Sequence, residues 1–389
     1  MGTEIAEKPM TKQIVPAAPQ ALAVRSAALV ARGLRDLARN SNWLTTKIFS
    51  GRSPQASISS SGQVCAVAPQ VKGEAHRVVL YDIERGAPAL ALAVPNEAMS
   101  FGSRLAANAA FGWSPSGQFL VGAWGLWEPV LHFFDLHSKM FLGAFGEFSA
   151  FPRYITWSGM GRYFVMAGAG KKGSLELWVA GTNAMVLSGP ALKRIGPPQR
   201  VSQQAIDAAI QDGVLPPAGD EQCDEATFAG YGQVAFSPDE CTLAAAVEME
   251  GEWADDSILF VRMPGFQEQK LFSAQGHVTD ITWTPDSKHL VYCAGGQAFR
   301  INATTLESEA LPFGAELCLC NPFKPVCVCF SSWLKNSAKG RLFIVDLDAP
   351  DAFDEHPAEN VVDLRWSLDG SKAYAVTRDG LAYSYEPPM

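Results

Sequence analysis

The chain predicts an all-β protein built as a ring of repeated four-stranded units. Three features carry that prediction: a turn that recurs, a strand-ending signal that follows it, and a composition rich in turn formers and poor in charge. The turn is clearest in FGWSPSGQFLVGAWG, residues 111–125. Its core returns as ISSSGQVCAVA from Ile58, WSPSGQFLVGA from Trp113, WSGMGRYFVMA from Trp157, FSPDECTLAAA from Phe236, WTPDSKHLVYC from Trp283, CNPFKPVCVCF from Cys320 and WSLDGSKAYAV from Trp366, seven copies in all. Each has an alternating segment before it, a Pro/Gly/Asp/Ser turn that closes a hairpin, and an apolar segment after it. A third strand follows in most copies, as in LHFFDL, LFIVDL and LAYSYE. Apolar residues make up 48% and charged residues 18%, with 34 Gly and 25 Pro, which suits a turn-rich β protein better than a helical bundle or a disordered chain.

Most anchors are 37 to 55 residues apart, and only the step from 157 to 236 is larger. Four strands per unit at such a period are the signature of a seven-bladed β-propeller. One blade cannot bury both its faces, so blades stack around an axis, and central strands such as FLVGA and YFVMA read as continuous apolar runs. Taken in chain order, residues 1–42 form an N-terminal extension, helical over 18–40, with Leu22, Leu29, Leu34 and Leu37 tending to one side and Arg25, Arg32, Arg35 and Arg39 making it basic, a helix expected either to pack against the propeller rim or to dock another protein or a membrane surface. Residues 43–389 form the propeller. Residues 190–230 are an insertion between blades 3 and 4 with a short helix in VSQQAIDAAIQDG, flanked by Pro pairs. The last copy ends after its third strand, and WLTTKIFS from Trp43 is the expected N-terminal strand that completes it and closes the ring.

Over residues 43–389 the chain resembles the WD40-repeat family. The resemblance rests on the W/F-S/T-P-D/S turns, on Gly276-His277 before the fifth copy, on Asp379-Gly380 in the last, and on Trp178, Phe134 and Tyr385 near the family's strand-ending Trp. No blade carries the family's full His, Ser/Thr, Asp and Trp set. The resemblance implies a structural role for His277 and a non-catalytic scaffold or adaptor function.

A net charge of -9 argues against a broad phosphate-binding surface, so nucleic acid is not the expected partner. The N-terminus lacks a signal-peptide pattern and no run is of membrane-spanning length, so the expected location is cytoplasmic. The eight cysteines are expected as free thiols. Cys318, Cys320, Cys327 and Cys329 form two C-x-C pairs that could gather on a metal, but they fall at packing positions of the repeat. The histidines have no metal-site spacing, and phosphate-binding and nucleophile-elbow motifs are lacking; no cofactor, no metal and no enzymatic activity are expected. The carboxylates Glu248, Glu250, Glu252, Asp255 and Asp256 read as a solvated loop.

Four tryptophans fall outside the repeat: Trp124, Trp127, Trp253 and Trp333 sit in second-to-third-strand connections of blades 2, 4 and 6. Those connections share one face of a propeller. With Glu252 and Asp255 from blade 4 and Lys335 and Arg341 from blade 6 they make a candidate face for a protein or peptide partner. The alternatives are a channel-mouth enzyme or small-molecule or metal binder, and a structural subunit docked through residues 1–42 and the insertion.

Overall fold

A computed structural model gives the architecture; it describes residues 43–49, 56–67, 77–93, 110–124, 130–145, 151–169, 175–179, 193–195, 227–250, 255–263, 269–332, 340–350 and 353–386. The contacts divide the chain into Met1–Ser41 and Asn42–Met389, and all described residues belong to the second unit. They contain strands and no helix. The helices expected over 18–40 and within the insertion, with Arg25, Arg32, Arg35 and Arg39, fall outside the described residues.

The strand β1 (Trp43–Lys47) comes first. Repeat 1 then supplies β2 (Ala56–Ile58), β3 (Val64–Val67), β4 (Arg77–Asp82) and β5 (Ala87–Ala93), and repeat 2 supplies β6 (Ala110–Trp113), β7 (Phe119–Trp124), β8 (Val130–Asp135) and β9 (Met140–Phe145). Repeat 3 is β10 (Phe151–Trp157), β11 (Tyr163–Ala169), β12 (Leu175–Val179) and β13 (Lys193–Ile195); repeat 4 is β14 (Thr227–Phe236), β15 (Thr242–Glu250), β16 (Ser257–Arg262) and β17 (Gln269–Ser273). Repeat 5 is β18 (Val278–Trp283), β19 (His289–Ala294), β20 (Gln297–Asn302) and β21 (Ser308–Ala310); repeat 6 is β22 (Leu317–Cys320), β23 (Val326–Ser331), β24 (Arg341–Asp346) and β25 (Phe353–Pro357). Repeat 7 contributes β26 (Val361–Trp366), β27 (Ala373–Thr377) and β28 (Leu381–Tyr385), and β1 pairs with β28, Trp43 opposite Tyr385. The expected closing strand is therefore in place, so β28 is not left as an open edge.

These strands make a β-propeller of six sheets, which corrects the expected seven separate blades. Five sheets have four strands, but repeats 3 and 4 share one eight-stranded sheet. The join is the pairing of Ala169 on β11 with Gly230 on β14. Gly230 has φ +141°, a conformation that costs little without a Cβ, and bulges on either side let the ten-residue β14 bend toward its neighbour. Two further boundaries move. Lys193–Ile195, assigned to the insertion by sequence, pairs with β12 as the fourth strand of repeat 3, and Thr227–Gly230 belongs to β14.

In five of the seven repeats the recurring turn has one mechanism. Its serine hydroxyl accepts the amide five residues on: Ser59 from Val64 at 3.2 Å, Ser114 from Phe119 at 2.9 Å, Ser158 from Tyr163 at 3.1 Å, Ser237 from Thr242 at 2.9 Å and Ser367 from Lys372 at 2.9 Å. The turn also needs one left-handed residue, supplied by Gly62 and Gly117 (φ +77° and +70°) but by Glu240 (φ +56°) in repeat 4. The second strand of each hairpin is enclosed on both faces, as in β27, where all five residues are buried. Each large apolar side chain so enclosed contributes roughly 1.5–3 kcal/mol.

Candidate functional site

The first strands of all seven repeats surround a cavity of about 720 Å³, the central channel. Its wall is set by the position three residues before the anchor residue of the turn motif: Ala110, Tyr154, Gln233, Asp280, Leu317 and Asp363 all line it. Thus VTDITW and VVDLRW, two strands each with a register shift just before its Asp, each hold a carboxylate against the channel. Sequence reading missed this pair. The signal was available as an Asp three residues before Trp283 and again before Trp366.

Each carboxylate joins its own repeat to the next. Asp280 Oδ2 accepts the amide of Cys318 at 2.9 Å, and Asp363 Oδ2 accepts that of Ile58 at 2.6 Å. Burial pushes the Asp280 carboxyl up to about 7, the amides of Cys318 and Ile281 pulling against it and the charge of Asp363 adding to it. Burial also raises Asp363, opposed by the Arg365 guanidinium, the amides of Ile58 and Leu364 and the Ser57 hydroxyl. Arg365 lies two residues on along the same strand and lines the channel, and its buried Nε has no hydrogen-bond partner among the described residues. The channel thus presents two carboxyl groups held toward their acid form and a guanidinium with donor capacity to spare, a lining that can hold a small polar group.

Aromatic latches run alongside. Trp113 Nε1 donates to Ser57 O at 3.3 Å, Trp283 Nε1 to Ala235 O at 3.0 Å and Trp366 Nε1 to Leu319 O at 2.9 Å, each reaching the first strand of the preceding repeat. Trp157 breaks the pattern, since its buried Nε1 has no partner among the described residues.

Only part of the predicted partner face is described. Trp127, Trp253, Trp333, Glu252 and Lys335 lie outside the described residues. Trp124 is the last residue of β7, its backbone paired with Val130, so the expectation that it belongs to the connection is corrected. Asp255 is exposed and accepts the Gly276 amide at 2.8 Å. Arg341 starts β24 and is tied to Glu355 at 2.7 Å, which commits its charge within its own repeat.

The acidic segment is also corrected in part. Asp256, expected in a solvated loop, is 1% exposed. Its Oδ1 accepts the Met249 amide at 3.0 Å, and its Oδ2 accepts the Val278 amide at 2.8 Å and faces His277 Nδ1 at 2.7 Å. Glu248 lies on β15 and pairs with Arg153. Among the described residues no three His, Cys, Asp or Glu side chains converge to hold a metal ion, and no helix is long and apolar enough to cross a membrane.

A propeller is the class of protein that this ring and channel define. Compared with known protein families, the chain matches none, and no curated protein matches it. Solved structures do. A chain of Kuenenia stuttgartiensis hydrazine synthase is similar with a TM-score of 0.59 at 14% identity, over 87% of this chain and 97% of that one. A chain of the mitotic checkpoint complex is similar with a TM-score of 0.59 at 13% identity, over 100% and 98%. The Myceliophteria thermophila Cps50 (Swd1) β-propeller domain is similar with a TM-score of 0.58 at 14% identity, over 89% and 100%. At such identities the likeness extends to the fold and no further.

Proposed function

We propose that this protein is a non-catalytic scaffold or adaptor of WD40-like type that binds a protein or peptide on the face carrying its second-to-third-strand connections. The observation that carries the reading is topological. Residues 125–129, 251–254 and 333–339 fall between the second and third strands of their repeats, and in a propeller such connections share one face. Trp is enriched at binding hot spots, and the occurrence of similar propellers in multi-protein assemblies, the mitotic checkpoint complex among them, supports the same reading. The basic segment with Arg25, Arg32, Arg35 and Arg39, which the sequence pattern reads as a helix, is proposed as a second docking element.

The test is affinity purification of the full chain from its native cell beside the Trp124/Trp127/Trp253/Trp333→Ala variant. A stoichiometric partner held by the native chain and lost from the folded variant is the expected result. Identical partners on both would overturn the assignment of the face.

A second reading, a small polar ligand in the channel, is favoured by Asp280, Asp363 and Arg365. Its mark would be a small molecule that co-purifies with the native chain and is lost in Arg365→Ala.

A further inference from the structure

Five thiols gather where repeats 5 and 6 meet: Cys293, Cys318, Cys320, Cys327 and Cys329 are all buried in one apolar cluster. Two pairs face each other across the β22–β23 hairpin, Cys318 opposite Cys329 and Cys320 opposite Cys327. They are not equivalent. The Cys318 thiol is hydrogen-bonded to Cys293 in the neighbouring repeat. Cys320 turns to its own hairpin, with its Sγ 2.8 Å from that of Cys327; both Cys318 and Cys320 line the channel.

The backbone suits a covalent link at this pair. The Asn321 amide donates to Val326 O at 2.7 Å, so Asn321 and Val326 are a hydrogen-bonded pair and Cys320 and Cys327 the adjacent non-hydrogen-bonded one. Such pairs have Cα atoms about 4.5 Å apart, within the range of roughly 4.4–6.8 Å that a disulfide spans. Both thiols are free.

We propose that Cys320 and Cys327 are an oxidisable dithiol on the channel wall, which hydrogen peroxide converts to an intramolecular disulfide. Cys320 meets the oxidant, because the channel reaches it while Cys327 is fully enclosed. The Cys320 thiolate attacks one peroxide oxygen, the O–O bond breaks, and a sulfenic acid forms with release of one water. The Cys327 sulfur then displaces the hydroxyl group from Cys320, which leaves as a second water. The two sulfurs lose two electrons and two protons, and the peroxide gains both pairs. A dithiol reductant reverses the change by thiol–disulfide exchange. Burial pushes the Cys327 thiol well up, which disfavours its thiolate.

The link would act on a well-connected hairpin. Asp280 accepts the amide of Cys318 and Thr282 Oγ1 that of Cys320 at 3.1 Å, while Trp366 reaches Leu319 O and Asn321 Nδ2 reaches Gly370 O at 2.8 Å. Oxidation therefore staples the inner edge of repeat 6 between both neighbours, independently of any partner on the opposite loops.

The test uses the full chain, reduced and then treated with hydrogen peroxide at about pH 8, near the ordinary thiol pKa. Remaining thiols are blocked, and the denatured protein is cut by chymotrypsin. Phe323 lies between the two cysteines, so cleavage there separates them unless a disulfide joins them. The expected result is joined fragments that a reductant releases. In Cys327→Ser the fragments should separate and a sulfenic-acid probe should label Cys320, whereas Cys318→Ala/Cys329→Ala should still give joined fragments. Separate fragments from the peroxide-treated native chain, or joined ones in Cys327→Ser, would overturn the proposal. The native-chain result decides by itself if that variant does not fold.

Discussion

The junction between repeats 2 and 3 and the junction between repeats 5 and 6 hold the same ring by different physics. At the first, Gly112 abuts Ile155, Phe133 meets Phe164 edge-on with centroids 5.8 Å apart, and Trp157 keeps its Nε1 unpartnered among the described residues. At the second, Asp280 and Thr282 accept two successive outward amides of β22, and the Thr279 hydroxyl donates to Glu316 O at 2.7 Å. One junction depends on volume and the other on acceptors. A propeller can therefore keep its geometry around the circle while the force that maintains each seam changes, and the seams should fail under different perturbations.

The largest effect should come from volume. A Cβ on Gly112 would lie 2.4 Å from Ile155 Cγ2, so Gly112→Ala should lower stability by about 3 kcal/mol. Gly117, in the turn of the same repeat, has no atom within 4 Å of an added Cβ and only its φ of +70° to resist substitution. Gly117→Ala should cost about 1 kcal/mol. Urea unfolding of both variants measures the difference, and equal losses would mean that junction 2–3 is not held by close contact.

Next comes the acceptor junction. Asp280→Ala leaves the Cys318 amide without its acceptor and should cost about 2 kcal/mol at low pH. Its pH dependence has a definite sign. The unfolded chain releases the Asp280 proton near its ordinary value of 3.8 and the folded chain near 7. Between those values the folded state binds more protons, so this contribution to stability is complete below about pH 4, falls as pH rises, and is gone above about pH 7. Its size is on the order of a few kcal/mol. Asp280→Asn should flatten that slope of the denaturation midpoint against pH, and an unchanged slope would assign the titration to another group.

A third kind of junction sharpens the contrast. Between repeats 3 and 4, Glu240 is buried in the left-handed turn position, accepting the Met160 amide at 2.6 Å and Arg162 Nε at 2.9 Å. Burial pushes its carboxyl up, but the Met160 amide, the Ser158 hydroxyl and the Arg162 guanidinium prevail and hold it below its ordinary value. Its contribution is thus present above the unfolded value near 4.5 and lost as pH falls through the folded one, opposite in sense to Asp280. Glu240→Ala loses the acceptor and keeps the backbone strain, while Glu240→Gly loses the acceptor and relieves the strain. The glycine variant should be the more stable by about 1 kcal/mol in thermal or urea unfolding.

The smallest test compares two tryptophans. Trp366→Phe removes the bond to Leu319 O and should cost about 1 kcal/mol more than Trp157→Phe, which removes no bond among the described residues. Similar losses would show the aromatic latch to be a matter of ring contact alone.

The repeat was legible because its turn is local chemistry: a serine that caps five residues on, and a glycine where φ is positive, leave similar letters in most copies. The closing strand was legible because the last copy lacked a fourth strand. What stayed hidden depended on partners distant in sequence. Asp256 reads as one more acid in EMEGEWADD, and only the fold brings His277 and Val278 to it. Asp280 and Asp363 look like polar residues on alternating strands until the ring turns that side inward. The join of repeats 3 and 4 rests on one glycine, too little to separate from the other glycines of the chain.

The pairing of Trp43 with Tyr385 also bears on how the protein is made. Some 340 residues separate the two partners, so a ribosome adding roughly 5–20 residues per second needs on the order of 20–70 s to supply the second after the first. Throughout that interval β1 has been synthesised and its partner has not, with the apolar face of each finished repeat waiting for its neighbour. Ring closure must wait for β28, and it is the step before which the nascent chain most needs protection from its own copies.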